Sequence, residues 1–214
     1  MKIKSFKGGY DKNFCYLLWD TDDKNTFIID PSVETNQIIN FINQHDLIVH
    51  GILITHTHHD HIRYLDEIIS IYPYAKIYAS KLATSNLYMP FIGLSDNQNI
   101  YLNKIKALFT PGHYKDSMCY WVKSEKIIFT GDTIFVGRTG RTISSDSSID
   151  DLYNSVYNTI LKLPKDTIIY PGHDYGISKT ISIKDNIKLS NFFQCRNIDE
   201  FTYVMNNFEN SRKK

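Results

Sequence analysis

Four apolar runs in this chain stop at histidine or aspartate. They are Ile52-Leu-Ile-Thr-His56-Thr-His58-His59-Asp60-His61, Ala107-Leu-Phe-Thr-Pro-Gly-His113, Ile127-Ile-Phe-Thr-Gly-Asp132 and Thr167-Ile-Ile-Tyr-Pro-Gly-His173. A sheet that presents imidazoles and carboxylates from several strand ends toward one edge gathers metal ligands from distant parts of a chain without a floppy loop. In the first run, His56 and His58 lie two apart just past a strand and can share a side, because side chains alternate along extended backbone. Asp60 and His61 then turn toward a second position at the start of the following helix. With His113, His173 and a shared carboxylate at Asp132, the inventory suits two first-row divalent ions about 3.5–4 Å apart. Imidazole and carboxylate without cysteine favour zinc, with iron and manganese as alternatives. At this chain's own residue frequencies, H-x-H-x-D-H arises by chance about once in a thousand sequences of this length. Seven donors for two ions leave positions open to water and substrate, which is the pattern of a catalytic rather than a structural site.

The elements that must position these groups are legible as short β-branched and aromatic runs ending in polar or Pro/Gly punctuation. Strands are expected at Phe14–Trp19, Phe27–Asp30, Ile48–Thr55, Lys76–Ala79, Ile105–Thr110, Cys119–Lys123, Ile127–Thr130 and Thr167–Tyr170. Helical spacing falls between them, at Glu34–Gln44, Asp60–Tyr72 and Ile198–Phe208. The clearest stripe is Ile149, Leu152, Val156, Ile160 and Leu163, with Ser148 placed to cap it and Pro164 to stop it. Strands outnumber helices and the two alternate, which predicts an α/β layered domain with functional groups on loops at strand ends.

Composition narrows the partners. The 214 residues carry 24 basic and 23 acidic side chains, a formal charge of +1, so no net field recommends nucleic acid or an anionic membrane. A small-molecule substrate is the expected partner. The three cysteines are odd in number and form no C-x-x-C pair, which argues against a disulfide framework. The N-terminal stretch has charge but no apolar core of signal-peptide length, and no segment approaches the roughly 18 apolar residues of a membrane span. A cytoplasmic location is expected. Length favours one domain over 1–214.

Thr55-His56-Thr57-His58-His59-Asp60-His61, Thr110-Pro-Gly-His113, Thr130-Gly-Asp132-Thr and Tyr170-Pro-Gly-His173-Asp-Tyr-Gly together resemble the ordered motifs of the metallo-β-lactamase fold superfamily. Within it, the chain is most similar to glyoxalase II-like hydroxyacylglutathione hydrolases, with persulfide dioxygenases as close relatives. The resemblance implies an αββα sandwich with the site at the rim between two sheets, and a short C-terminal helical segment at about 178–210. It implies that His56, His58 and His113 hold one metal, that Asp60, His61 and His173 hold the other, and that Asp132 bridges them. It further implies a thioester hydrolase, acting on a substrate such as a glutathione conjugate through a metal-bound hydroxide, with Asp60 as the catalytic group that orients the nucleophile. The alternative it offers is a mononuclear iron persulfide dioxygenase using His56, His113 and Asp132.

Departures from the family pattern bear on the substrate. Arg63-Tyr64-Leu65 stands where the family usually has paired glycines. The segment Phe135-Val-Gly-Arg138-Thr-Gly-Arg141-Thr resembles a G-R-T-D stretch, but Ile143 replaces the usual aspartate. The tail is shorter than the helical domain that supplies glutathione-binding residues in the larger glyoxalase II enzymes. Arg138 and Arg141 are candidates for pairing with a substrate carboxylate, since guanidinium recognises carboxylates bidentately. Tyr175, beside a ligand motif, is a candidate to line the pocket. His59 points away from the metals if its neighbours point in.

Overall fold

The computed structural model describes residues 1–212. Two six-stranded sheets face each other. The first holds β1 (Lys2–Gly8), β2 (Asn13–Trp19), β3 (Asn25–Ile29), β4 (Ile48–Leu53), β5 (Lys76–Ser80) and β6 (Ile92–Leu94) in sequential order. β1, β2 and β3 pair antiparallel, and β3 through β6 pair parallel. The second holds β7 (Asn99–Ile100), β8 (Ile105–Phe109), β9 (Met118–Val122), β10 (Ile127–Gly131), β11 (Ile168–Pro171) and β12 (Ile181–Ser182), also in sequential order. Only β10 and β11 are parallel there.

Strand alternation explains the layers. Along β2, Phe14, Tyr16 and Leu18 point between the sheets, where they meet Met118, Tyr120 and Phe129 of the second sheet. Cys15 and Leu17 point the other way, onto α1 (Thr35–Gln44) and α2 (Leu65–Ile71). On the far side, Cys119, Ile128 and Ile169 of the second sheet pack under α3 (Ile149–Asn154), α4 (Ile183–Leu189) and α5 (Ile198–Ser211). Strands buried on both faces read as continuous apolar runs, as β2 and β10 do. The result is the four-layer αββα sandwich. Among the described residues no helix is long and apolar enough to cross a membrane.

Three local differences from the sequence reading have physical causes. The helix expected from Asp60 begins at Leu65, and residues 60–64 form successive turns in which His61 N donates to His58 O and Tyr64 N to Pro31 O. Those turns aim Asp60 and His61 inward, which a regular helix would not do. The long stripe after Ser148 holds its apolar face, but α3 gives way to a π-turn at Ser155–Thr159 and a 3-10 turn at Ile160–Lys162. The change begins where the buried Ser155 hydroxyl donates to Pro111 O at 2.6 Å. The tail contains α4 as well as α5, joined by a 3-10 turn at Asn191–Phe193.

Candidate metal centre

Four strands, two of which form the second sheet's parallel pair, deliver their C-terminal ends to one rim of the sandwich. His56 follows β4, His113 follows β8, Asp132 follows β10 directly and His173 follows β11. Donor atoms of His56, His58 and His113 lie within 4.8 Å of one another, as do those of Asp60, His61 and His173. Asp132 stands between the two groups. Its Oδ2 is 3.5 Å from His113 Nε2, and its Oδ1 is 3.1 Å from His61 Nε2 and 3.3 Å from His173 Nε2. All seven residues singled out from the sequence are thus brought together.

The chain approaches itself closely here, and glycine permits it. A Cβ on Gly172 would run into Asp132 Oδ1 and His61 Cε1, and one on Gly140 into Asp132 O and the His113 ring. In Pro171-Gly172-His173 the glycine therefore reflects space needed by neighbouring ligands, whereas Gly112 of Pro111-Gly112-His113 makes room for the backbone of Leu152.

Two observations show that the residues fit divalent cations. Ring nitrogens converge on each other rather than on proton partners: His56 Nε2 is 2.9 Å and His113 Nε2 3.1 Å from His58 Nδ1, and His61 Nε2 is 3.2 Å from His173 Nε2. Three lone-pair-bearing nitrogens meeting at one point cannot all be satisfied by a single proton. Asp132 Oδ1 is also buried without a hydrogen bond among the described residues, because the two nearby imidazoles approach out of alignment. A buried carboxylate oxygen left so is costly unless a cation meets it.

The outward-facing nitrogens are held in place. His61 Nδ1 donates to Asp30 Oδ2 at 2.8 Å, His113 Nδ1 to Arg141 O at 2.8 Å and His173 Nδ1 to Asp11 O at 2.8 Å. His56 Nδ1 lies 3.2 Å from Thr55 Oγ1, which itself donates to Asp30 Oδ2 at 2.6 Å. Such contacts set ring orientation and tautomer in metal-binding histidines. Asp60 Oδ2 accepts from the buried Asn13 Nδ2 at 2.8 Å, which fixes that carboxylate at the cleft.

Electrostatics divide the cluster. Burial pushes the His56 imidazole well below its ordinary range, and burial with His113 beside it takes His58 down to about 4. On the other side burial is opposed and outweighed by the Asp132 carboxylate, which holds His61 well above and His173 above the usual imidazole value. In return, and against burial, His173 and His61 keep Asp132 ionised far below the ordinary carboxylate range. Asp60 is also lowered, burial again being outweighed, by His61 and Asn13. His56 and His58 thus offer neutral nitrogens beside a charged network of His61, His173 and Asp132.

The cluster opens into a cleft of about 500 Å³, whose walls include Tyr10, Arg63, Phe135, Arg138, Tyr175 and Arg212. Tyr175 stacks on the His173 ring at 4.7 Å and donates to Asp11. Arg138 lies over Tyr175, 4.3 Å from its centroid. Arg141 also lines the cleft, but its guanidinium forms a bidentate pair with Glu209 of α5, at 2.7 and 2.6 Å. His59 is exposed, His45 stacks on Phe41, and His50 packs by Phe27 and Tyr101, all outside the ligand groups.

Asn13, Asp30, Asp11 and Glu209 were not visible as site residues in the sequence. Asp30 did carry a usable signal, since Phe27-Ile28-Ile29-Asp30 is a fifth apolar run ending in an acid. Asp11 sits in the turn between β1 and β2, and Asn13 opens β2, with no motif around them.

Comparison with known proteins agrees with this geometry. The model of the metallo-beta-lactamase superfamily matches residues 8–94 and 101–173. The hydroxyacylglutathione hydrolase of Francisella tularensis subsp. novicida is 35% identical over 180 residues, covering 83% of this chain and 69% of that protein. PksB of Bacillus subtilis, named as a probable polyketide biosynthesis zinc-dependent hydrolase, is 31% identical over 213 residues, covering 95% of this chain and 91% of its own. Among solved structures, ETHE1 from Myxococcus xanthus superposes with a TM-score of 0.87 at 25% identity, covering 97% of this chain and 91% of that one. The BLEG-1 B3 metallo-beta-lactamase does so with 0.80 at 25%, covering 91% and 100%. The curated relatives are hydrolases, and the family model together with the histidine–aspartate cluster describes an enzyme that binds divalent metal. By fold, by ligand geometry and by a family model covering most of its length, the chain belongs to the metallo-beta-lactamase superfamily.

Proposed function

We propose that this chain hydrolyses a thioester, with a hydroxyacyl-glutathione as the leading substrate class. The observation that carries the reading is the seven-donor cluster opening into the cleft, with Asp60 held at its floor by Asn13. The similarity to hydroxyacylglutathione hydrolases supports it. His56, His58 and His113 would hold one divalent ion, Asp60, His61 and His173 a second, and Asp132 would lie between them; zinc is the expected occupant, with iron or manganese as alternatives. When bound, such ions acidify a water and polarise a carbonyl oxygen.

The chain's own groups do the rest. Asn13 donates to Asp60 Oδ2, the oxygen that also faces His61 and His173, and so orients the carboxylate that positions the attacking water and takes up its proton. The water oxygen bonds to the carbonyl carbon, the C–S bond breaks and the sulfur leaves as thiolate. With an ordinary thiol pKa of about 8.5, that group needs little help from an acid. The flat ring of Tyr175 covers His173 and limits solvent on that side of the site.

The second reading, a mononuclear iron persulfide dioxygenase using His56, His113 and Asp132, is favoured by the Gly137-Arg138-Thr139 segment. One preparation separates the two. Metal is quantified on aerobically purified protein, then thiol release from S-lactoylglutathione and oxygen uptake with glutathione persulfide are followed. Two metals and thiol release are expected; one iron per chain with oxygen uptake and no thiol release overturns the thioester reading.

A further inference from the structure

Four of the five candidate histidine ligands have their outward nitrogen tied to the protein, and His58 does not. Its Nδ1 faces His56 and His113, and among the described residues its Nε2 has no hydrogen-bond partner. Contacts from other segments reach it instead. Thr57 stands between His56 and His58, and alternation along extended backbone sends its side chain the other way. There Asp116 accepts both of its donors, Thr57 N at 3.2 Å on Oδ1 and Thr57 Oγ1 at 2.5 Å on Oδ2. Asp116 is 1% exposed and has no ion-pair partner among the described residues. A carboxylate buried without a counter-charge is costly, and its two bonds both go to the residue that separates two ligands. The Thr57 hydroxyl also accepts from Asn86 Nδ2 at 2.7 Å, and the second proton of that amide goes to Tyr114 OH at 3.0 Å. The Tyr114 ring lies against the His58 imidazole, with centroids 4.3 Å apart. Asn86 closes the 3-10 turn Lys81–Ser85, so a segment far from the ligands in sequence grips both the backbone before His58 and the ring beside it.

From this geometry we infer that Asn86, Thr57, Asp116 and Tyr114 form a clamp that positions His58 as the third imidazole of the first metal position. The inference rests on the two-ion reading and is independent of the thioester. An imidazole with no bond on its outer nitrogen can turn about its side-chain torsions, and an arriving ion would have to order it. The clamp imposes that order beforehand, which is what preorganised ligands contribute to affinity. A mononuclear centre on His56, His113 and Asp132 leaves His58 out, so the clamp would add nothing to it. Metal affinity that responds to Asn86 therefore speaks for a three-histidine position.

The test is titration of metal-free protein with cobalt(II), followed by visible absorption and by the paramagnetically shifted imidazole N–H signals in proton NMR. Wild type is expected to fill two positions. In Asn86→Ala one position should weaken about tenfold and one shifted imidazole signal should move or exchange away, with the other position within twofold of wild type. Unchanged affinity at both positions, or an equal loss at both, overturns the clamp. If Asn86→Ala does not fold, Thr57→Val and Thr57→Ser decide: valine keeps the shape and loses the hydroxyl, whereas serine keeps the hydroxyl. A loss at one position in Thr57→Val that Thr57→Ser restores supports the clamp; a loss in both variants or in neither overturns it. If wild type binds a single ion, the two-ion reading fails by itself. The clamp is then judged at that one position, where a tenfold loss in Asn86→Ala supports it and unchanged affinity overturns it. A wild type that binds no cobalt(II) overturns both.

Discussion

Replacing Asp30 by asparagine should weaken metal binding 10- to 100-fold while leaving the sandwich intact. The carboxylate is buried and accepts three hydrogen bonds: Thr55 N at 2.7 Å on Oδ1, and Thr55 Oγ1 at 2.6 Å and His61 Nδ1 at 2.8 Å on Oδ2. Asparagine matches its size and tolerates the left-handed backbone at this position, where φ is 49°. The amide oxygen can still take the Thr55 N–H, and the Thr55 hydroxyl can rotate to accept from the amide nitrogen. His61 has no such freedom. Either its Nδ1–H faces an N–H₂ donor, or the ring adopts the other tautomer and places the proton on Nε2, where a metal would bind. Both outcomes penalise the loaded state. Partners of this kind contribute 10- to 100-fold in affinity, about 1.4–2.7 kcal/mol. The effect reaches His56 less strongly, because Asp30 touches it only through Thr55. Competition with a chromophoric chelator would measure the loss, and the thermal midpoint of the metal-free protein would report on the fold. Wild-type affinity in Asp30→Asn, or a loss explained wholly by unfolding, would refute the reasoning.

Three further perturbations follow from the same contacts. Asn13→Ala removes the hydrogen bond that orients Asp60, a charge-assisted bond of about 1.5–3 kcal/mol, so kcat should fall at least tenfold with metal content unchanged; a kcat within twofold of wild type would count against Asn13 as a positioning residue. Gly172→Ala forces a methyl group into Asp132 Oδ1 and His61 Cε1, and should abolish tight metal binding while circular dichroism stays native. Retained affinity there would mean the ligands are less crowded than described. Glu209→Gln breaks the bidentate pair with Arg141, and because Arg141 is partly exposed the stability loss should be at most about 1 kcal/mol at neutral pH. Arg141 holds the Glu209 carboxyl below its ordinary value of 4.5, so the stabilisation is complete above that value and is lost as pH falls through the lower folded value. Wild type and Glu209→Gln should therefore draw together in acid denaturation as pH falls from 4.5 through the lower folded value, and a gap undiminished over that descent would exclude the ion pair as its cause.

Legibility in the sequence followed locality. His56, His58, Asp60 and His61 fall within six positions, and His113, Asp132 and His173 each follow a strand that is apolar because both its faces are buried. Asn13 and Asp30 act through hydrogen bonds to ligands 47 and 31 positions away, Asp60 and His61, and no local pattern records a contact of that kind. β1 was missed for a different reason. Its Lys2, Lys4 and Lys7 lie exposed on an edge strand, where charge discourages pairing with another chain and also hides the strand signal. β7 and β12 are two residues long, too short to show any alternation.

The distribution of these features along the chain says where chemistry and selectivity reside. The matched family region ends at His173 and so contains all seven candidate ligands together with Asn13 and Asp30. α4 and α5 lie beyond it, and α5 brings Phe208, Glu209 and Arg212 back against the Arg138–Arg141 loop at the cleft wall. A rigid sandwich can thus keep one metal geometry while α5, packed on the second sheet through Phe201 and Met205 and tied to the loop by the Arg141–Glu209 pair, sets the charge of the wall facing the substrate. Relatives named as a hydroxyacylglutathione hydrolase and as a probable hydrolase of polyketide biosynthesis are consistent with that division. It follows that exchanging residues 198–212 between this chain and such a relative should move substrate preference while leaving metal affinity within a few fold, whereas changes at Asp30 should do the reverse.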